Sequence, residues 1–275
     1  MTAALLSGVV LWSYWPTLAD MAERWRTDPQ YSHGFLVPLF SAYLLWSRRG
    51  RMSGQLRGNW AGVGITVAGL ALRALGAIAF VGWFEAVSLL VCLAGVVVTL
   101  TGWTGLRWSA PAILFLAFMA PLPYAVQTSM SASLQRIATK SSTYLLVTAG
   151  VPAVSDGNVI VLSNDTRVGV VEACSGLGML VTFCALSVAV VLLLRSEPVW
   201  AKVVVVLSTV PVAVAVNVVR ITVTGFLYDQ SHDEWARWVF HDVAGWLMMP
   251  LAVLMFFSLL WLTHRIVVPT RPAVR

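Results

Sequence analysis

The chain has 275 residues, of which 59% are hydrophobic and only 11% charged, with a formal net charge of +6 at pH 7. A soluble domain carries about 25% charged residues, so this composition excludes an ordinary water-soluble globule and predicts an exterior that mostly contacts lipid. The basic excess does not point to nucleic acid, because such binders gather their Lys and Arg on one soluble face; here they stand at the ends of apolar runs, as cytoplasmic membrane loops do.

A helix crosses the ~30 Å hydrocarbon core with about 20 apolar residues. The apolar runs are continuous rather than alternating, which predicts helices and not a β-barrel. Residues 3–15 form the first run. It lacks a basic leader and has no small-residue cleavage site before Asp20, Glu23 and Arg24. It therefore reads as a first span rather than a secretory signal, ending in an interfacial belt of Trp12, Tyr14 and Trp15. A polar connection is expected over 16–32. The second span covers 35–46 and stops at Arg48, Arg49 and Arg51. The third covers 60–79, with Arg73 near its far end; the fourth runs over 82–101, and the fifth over 108–124 through Pro111, Pro121 and Pro123.

Residues 125–173 are the longest polar interval. Met130, Leu134, Ile137 and Leu145 fall roughly on one helical face, which predicts an amphipathic helix lying at the membrane interface or packing on the bundle. The β-rich runs 159–162 and 168–171 flank Asn164-Asp165 and predict a small hairpin leading into Cys174. The sixth span starts at or just after Cys174 and ends at Arg195, the seventh covers 203–224, and the eighth covers 241–262 after a polar stretch from Tyr228 to Arg237. The expected fold class is all-α: a polytopic transmembrane bundle of about eight spans, forming one domain over 1–275. Within it, 125–173 is an extracytoplasmic insert of interfacial helix and hairpin.

The tight cluster Arg48, Arg49, Arg51 and Arg57 close to a span end sets the orientation, since short basic loops stay inside. Both termini then lie inside. Cys174, Arg220 and His241 come out together at the extracytoplasmic boundary of the cell membrane, delivered by three different helices.

These three residues carry the candidate chemistry. Cys174 lies in Glu172-Ala173-Cys174-Ser175-Gly176-Leu177. At a helix start the first N–H groups lack intrahelical partners, and their partial positive charge favours a thiolate and can hold an oxyanion. Cys92 and Cys184 instead sit inside apolar runs, where a thiol acts as a small hydrophobe. Arg220 follows Asn217 by three residues, so the two occupy neighbouring positions on one helical face. A guanidinium within a span is expensive and suits a stabiliser of negative charge; the bland alternative is snorkelling to headgroups. His241, followed by Asp242, supplies an imidazole able to exchange protons near neutral pH. His33 and His232 are rival bases on the same side, and His264 reads as a cytoplasmic anchor. No metal-ligand spacing and no phosphate-cradling loop is present, so no metal or cofactor is expected.

With these residues in view, the chain resembles the exosortase/archaeosortase family of multi-pass membrane proteins. The resemblance rests on Glu172 to Leu177, on Asn217-Val218-Val219-Arg220-Ile221, on His241-Asp242-Val243-Ala244-Gly245-Trp246, and on the early run Tyr31 to Pro38 followed by a span and an Arg pair. It implies a cysteine protease or transpeptidase. The substrates would be secreted proteins bearing a C-terminal sorting signal: a short motif such as Pro-Glu-Pro, a transmembrane helix and a basic cluster. The enzyme would cut near the motif and transfer the new C-terminus to water or to a lipid or glycan acceptor. Matching positions give Cys174 as nucleophile, Arg220 as electrostatic partner and His241 as general acid/base, with Glu172, Asn217 and Ser175 in support. Gly178 departs from the family pattern, in which an arginine is often found there, and this leaves the recognised motif open. The competing class is a non-enzymatic component of a polysaccharide-export or surface-protein assembly system, in which the polar trio only glues helices together.

Overall fold

The apolar runs fold into helices, and the computed structural model is mostly helical. It describes residues 8–10, 12–51, 56–163, 166–170, 176–194, 198–230, 250, 253–255, 257–258 and 261. The chain forms two compact units, Met1–Gln127 and Thr128–Arg275.

In the first unit, α1 (Trp15–Thr27) occupies much of the stretch expected to be a polar connection. Thr17, Met21 and Trp25 recur every fourth residue, and all three are buried. That stripe is the reason the segment is helical despite Asp20, Glu23, Arg24 and Arg26. Trp12 and Trp15 are exposed, as a belt requires, but Tyr14 is not part of it: its ring is buried and its hydroxyl pairs with Ser88 Oγ at 2.8 Å. A 3₁₀ segment, Pro29–Phe35, follows and leads into α2 (Leu36–Arg48). At 13 residues, α2 rises about 20 Å, less than the hydrocarbon thickness, so the second span is shorter than a crossing requires.

Helix α3 (Ala61–Ala79) packs against the first limb of α4 (Gly82–Phe115). Asn59 prepares the start of α3, with its Oδ1 accepting the Ala61 N–H at 2.8 Å. The interior face of α3 is glycine: Gly62, Gly69 and Gly76 are its buried residues, while Val67, Leu70, Leu75 and Ile78 face outward. A water-facing helix arranges these the other way round. Small residues inside and large apolar ones outside is how a helix in lipid brings its backbone close to a neighbour. Within α4 the helix breaks at Gly102 (φ 72°, ψ −166°). The two limbs have different partners: Val98 O accepts from Asn59 N, whereas Trp108 Nε1 donates to Arg48 O at 2.8 Å. The expected fourth and fifth spans therefore meet at one residue instead of a six-residue loop. The second limb ends in a 3₁₀ turn, Leu116–Met119, ahead of Pro121 and Pro123, so Tyr124 opens the next helix rather than closing this one.

That helix, α5 (Tyr124–Thr148), occupies the stretch expected to be an amphipathic helix. Its buried residues are Ser131, Gln135, Ala138, Thr139, Ser142 and Leu146. Ile137 and Leu145 are exposed, and Met130 and Leu134 are partly buried against the second unit's core. The apolar face seen in the sequence is thus split, and the inward stripe is small and polar. Its polar groups find partners on α7 and within the helix: Ser142 Oγ donates to Val218 O at 3.1 Å, and Thr139 Oγ1 donates to Gln135 O at 2.8 Å.

The expected hairpin is present with one more strand. Strand β2 (Val159–Leu162) pairs antiparallel with β3 (Arg167–Gly169) and, on its other edge, with β1 (Ala153–Asp156). The β1–β2 turn is Gly157-Asn158, and Gly157 takes φ +59° at the first central position, as twist-matched two-residue loops require. Ile160, Leu162 and Val168 point into a core shared with Ala138 and Leu146 of α5.

Helix α6 (Leu177–Leu193) and helix α7 (Val199–Gln230) complete the second unit. Leu180 and Phe183 of α6 pack with Val205, Val212 and Val216 of α7. Helix α7 continues past the expected end at Thr224 through Tyr228 to Gln230. Its 32 residues rise about 48 Å. Among the described residues, three helical stretches are long and apolar enough to cross a membrane: Ala61–Ala79, Gly82–Met119 and Val199–Gln230; Leu177–Leu193 is apolar but shorter. A total of eight spans does not follow from these elements. The expected eighth span lies largely outside the described residues.

Candidate active site

Cys174, Glu172, Ser175, His241 and His232 lie outside the described residues. The elements that lead up to Cys174 and away from it are described. On the upstream side, Val170 is buried and its N–H donates to Asn158 O at 2.8 Å, so the chain runs alongside the β1–β2 turn four residues before Cys174. The same turn is tied to α5, since Asn158 Nδ2 donates to Gln135 Oε1 at 2.6 Å. Gln135 is buried in the polar stripe of α5.

On the downstream side, Gly176 opens α6 with φ +78°, and its carbonyl accepts the Leu180 N–H at 2.8 Å. A left-handed residue at this point is best served by glycine, and there is a second reason for it. A Cβ on Gly176 would lie 3.0 Å from Asn217 Nδ2 and 3.2 Å from its Cγ. The Asn217 amide therefore packs directly on the Gly176 backbone, and Asn217 itself is 2% exposed.

Arg220 is half-buried one turn further along α7. From Val199 to Arg220 the helix rises about 32 Å, close to the thickness of a hydrocarbon core. A guanidinium near a membrane boundary costs less to insert than one at the midplane.

A small cavity of about 10 Å³ adjoins this contact, lined by Gly176, Asn217, Leu134, Ala138, Leu180 and Ala213 among others.

His33 belongs to a different local structure. It is buried in the first unit, where Nε2–H donates to Phe118 O at 3.2 Å. Burial lowers its pKa from the usual histidine value, against the opposing pull of the Phe118 and Gln30 carbonyls. Around it, Trp25 Nε1 donates to Met119 O at 3.0 Å, and Tyr31 Oη donates to Gln127 Oε1 at 3.2 Å. The run Tyr31 to Gly34 thus fastens the 3₁₀ segment to the end of α4. Cys92 is buried and bonded to the Tyr14 hydroxyl at 3.4 Å, and Cys184 is half-buried in α6; both fit the small-hydrophobe reading.

Sequence reasoning missed Gln135, Asn158 and the second role of Gly176. The Asp156-Gly157-Asn158 turn was a readable signal for the extra strand. Nothing in the sequence pairs Asn158 with Gln135.

Helices with small inward faces and apolar exteriors, together with a polar pair one turn apart in a long apolar helix, define an α-helical integral membrane protein. Its family is established directly. The transmembrane exosortase model (Exosortase_EpsH) matches residues 25–258, most of the chain and parts of both compact units, and the protein belongs to that family. Membership supports a membrane protease or transpeptidase role in general. No curated protein and no solved structure matches the chain.

Proposed function

We propose that the protein is a membrane-embedded cysteine protease and transpeptidase working at the extracytoplasmic face. It cleaves the C-terminal sorting signal of secreted proteins and transfers the new C-terminus to a cell-surface acceptor. Both compact units serve as one functional domain. The observation that carries the reading is the packing of Asn217 on Gly176. Cys174 stands two residues before Gly176 in the sequence, and the nearness of Gly176 to Asn217 supports pairing the thiol with the polar positions of α7.

In this mechanism Cys174 is the nucleophile. The N-terminus of α6 presents a glycine with no side chain to cap its first turn, and the positive end of the helix dipole favours the thiolate. The Cys174 thiolate attacks the substrate carbonyl, and the oxyanion is held by first-turn N–H groups and the Arg220 guanidinium. The C–N bond then breaks as protonated His241 gives its proton to the leaving amine, which leaves a thioester. Water or an acceptor amine, deprotonated by His241, attacks the thioester and releases the Cys174 thiolate. Asn217, Glu172 and Ser175 position this set.

Replacing Cys174 by Ala tests the assignment in membranes containing a cognate sorting-signal protein. Processing is expected to stop while the abundance of the enzyme stays at the wild-type level. Continued processing by Cys174→Ala at wild-type abundance removes the nucleophile.

A further inference from the structure

We infer that the arginine- and tryptophan-rich end of the first unit, where α2 stops, α3 begins and α4 breaks, binds phospholipids whose headgroups carry a net negative charge. The inference is independent of the catalytic mechanism proposed above.

Three stretches of chain meet at this end. Trp108 Nε1 donates to Arg48 O at 2.8 Å, which fastens the last turn of α2 to the second limb of α4. Asn59 N donates to Val98 O at 3.1 Å, which fastens the approach to α3 to the end of the first limb. Beside that bond, a Cβ on Gly58 would overlap Thr99 O, and one on Gly102 would overlap Arg57 O. Packed backbone thus gathers Arg49, Arg57 and Arg107 at one end, and all three residues are exposed.

Nothing within the first unit offsets their charge. Between Asp28 and Asp156 the sequence holds one acidic residue, Glu85. It lies in the first turn of α4, about 21 Å of helix from Thr99, and accepts a hydrogen bond from Thr17. The unit's other carboxylates, Asp20, Glu23 and Asp28, belong to α1 and its C-terminal cap. Helix α1 is bonded through Trp25 to Met119 O, about 18 Å of chain beyond Arg107. Both separations exceed the screening length of about 10 Å in ordinary salt.

The aromatic residues identify the partner as lipid. Trp46, Trp60 and Trp103 are exposed at the same end, and tryptophan rings in a membrane protein settle at the level of the headgroups. The Arg49 guanidinium carbon stands 4.8 Å from the centre of the Trp46 ring. A stacked guanidinium offers its N–H edge to oxygens, and that fork matches two oxygens of a phosphodiester. A zwitterionic headgroup brings a cation of its own, for which this end has no carboxylate. An anionic headgroup brings none. The tendency of short basic loops to stay inside puts this end at the cytoplasmic leaflet, where anionic lipids give the surface its negative potential.

The test uses the full-length protein in detergent, titrated with phosphatidylglycerol or with phosphatidylcholine of the same acyl chains, and bound lipid is counted by native mass spectrometry. Wild-type protein is expected to bind phosphatidylglycerol at least about 10-fold more tightly. Arg49→Gln, Arg57→Gln and Arg107→Gln should each weaken that binding by about 5-fold. Phosphatidylcholine affinity should not change, and so reports an intact fold in each variant. Arg24→Gln removes an exposed arginine of α1, at the other end, and should change neither affinity. Equal wild-type affinity for the two lipids overturns the inference. A preference that survives in the variant carrying all three substitutions, or that falls as much in Arg24→Gln, also overturns it, because net charge would then suffice. Displacement of bound phosphatidylglycerol by inorganic phosphate at equal concentration would show a free-anion site and overturn the lipid assignment.

Discussion

The Asn158 side-chain amide donates to Gln135 Oε1 at 2.6 Å, joining the first turn of the sheet to the buried face of α5. Asn158 also holds Val170 through its backbone carbonyl. Removing the donor leaves the buried Gln135 oxygen unsatisfied, which costs about 1–3 kcal/mol. Asn158→Ala and Gln135→Ala should each lower the thermal midpoint in detergent. The double variant should lose less than the sum, because the two share one bond. Strict additivity would show that the pair does not interact.

The glycine face of α3 gives a comparison within a single helix. A Cβ on Gly62 would collide with Thr99 and the Gly95 carbonyl, whereas one on Gly64 meets nothing within 4 Å. Gly62→Ala is expected to destabilise by about 1–3 kcal/mol through overpacking. Gly64→Ala should be neutral or stabilising by up to about 1 kcal/mol from helix propensity. Thermal unfolding of the two variants side by side decides the matter, and equal effects would contradict the close α3–α4 contact.

His33 sets a pH dependence. Its folded pKa lies below the unfolded value because burial disfavours the imidazolium. Below about pH 6.5 the unfolded chain takes up this proton before the folded one does. The stability contributed by neutral His33 is therefore full above that pH and falls as the pH drops through the folded value. Wild-type protein should melt earlier at pH 5 than at pH 7.5. His33→Asn should be less stable at pH 7.5 and show a smaller loss on acidification. An identical pH slope in that variant would assign the effect to another group.

Gly34 packs beneath the Trp25 indole so closely that a Cβ would overlap Nε1, Cδ1 and Cε2. Gly34→Ala is expected to displace the ring, break its bond to Met119 O and destabilise by about 1–3 kcal/mol. Trp25→Phe should add little in the Gly34→Ala background, since the bond is already gone. Full additivity in calorimetry would argue that the ring never moved.

Long apolar runs were legible because lipid asks only for length and hydropathy, and the third, fourth and seventh spans follow that rule. Helix α1 was not, because its buried stripe of Thr17, Met21 and Trp25 is diluted by charge. The inward face of α5 was not legible for a physical reason: periodicity locates a face but does not say what covers it, and here Ser131, Gln135 and Ser142 turn inward while Ile137 and Leu145 are exposed. The one-residue break at Gly102 was hidden because glycine is equally at home inside a membrane helix. At the site, the i, i+3 pair Asn217 and Arg220 was visible as spacing. The contact of Asn217 with Gly176 depends on how two helices dock, which no local pattern encodes.

Helix α7 is taller than the slab it stands in. Its 32 residues rise about 48 Å against a core of about 30 Å, so a tilt or an overhang takes up the difference. On the proposed reading, with the overhang on the extracytoplasmic side, a client tethered by an ordinary membrane anchor would emerge from the lipid beside this post and not at its tip. One flank of the emerging peptide would then be screened, and an acceptor would have to arrive from the opposite side.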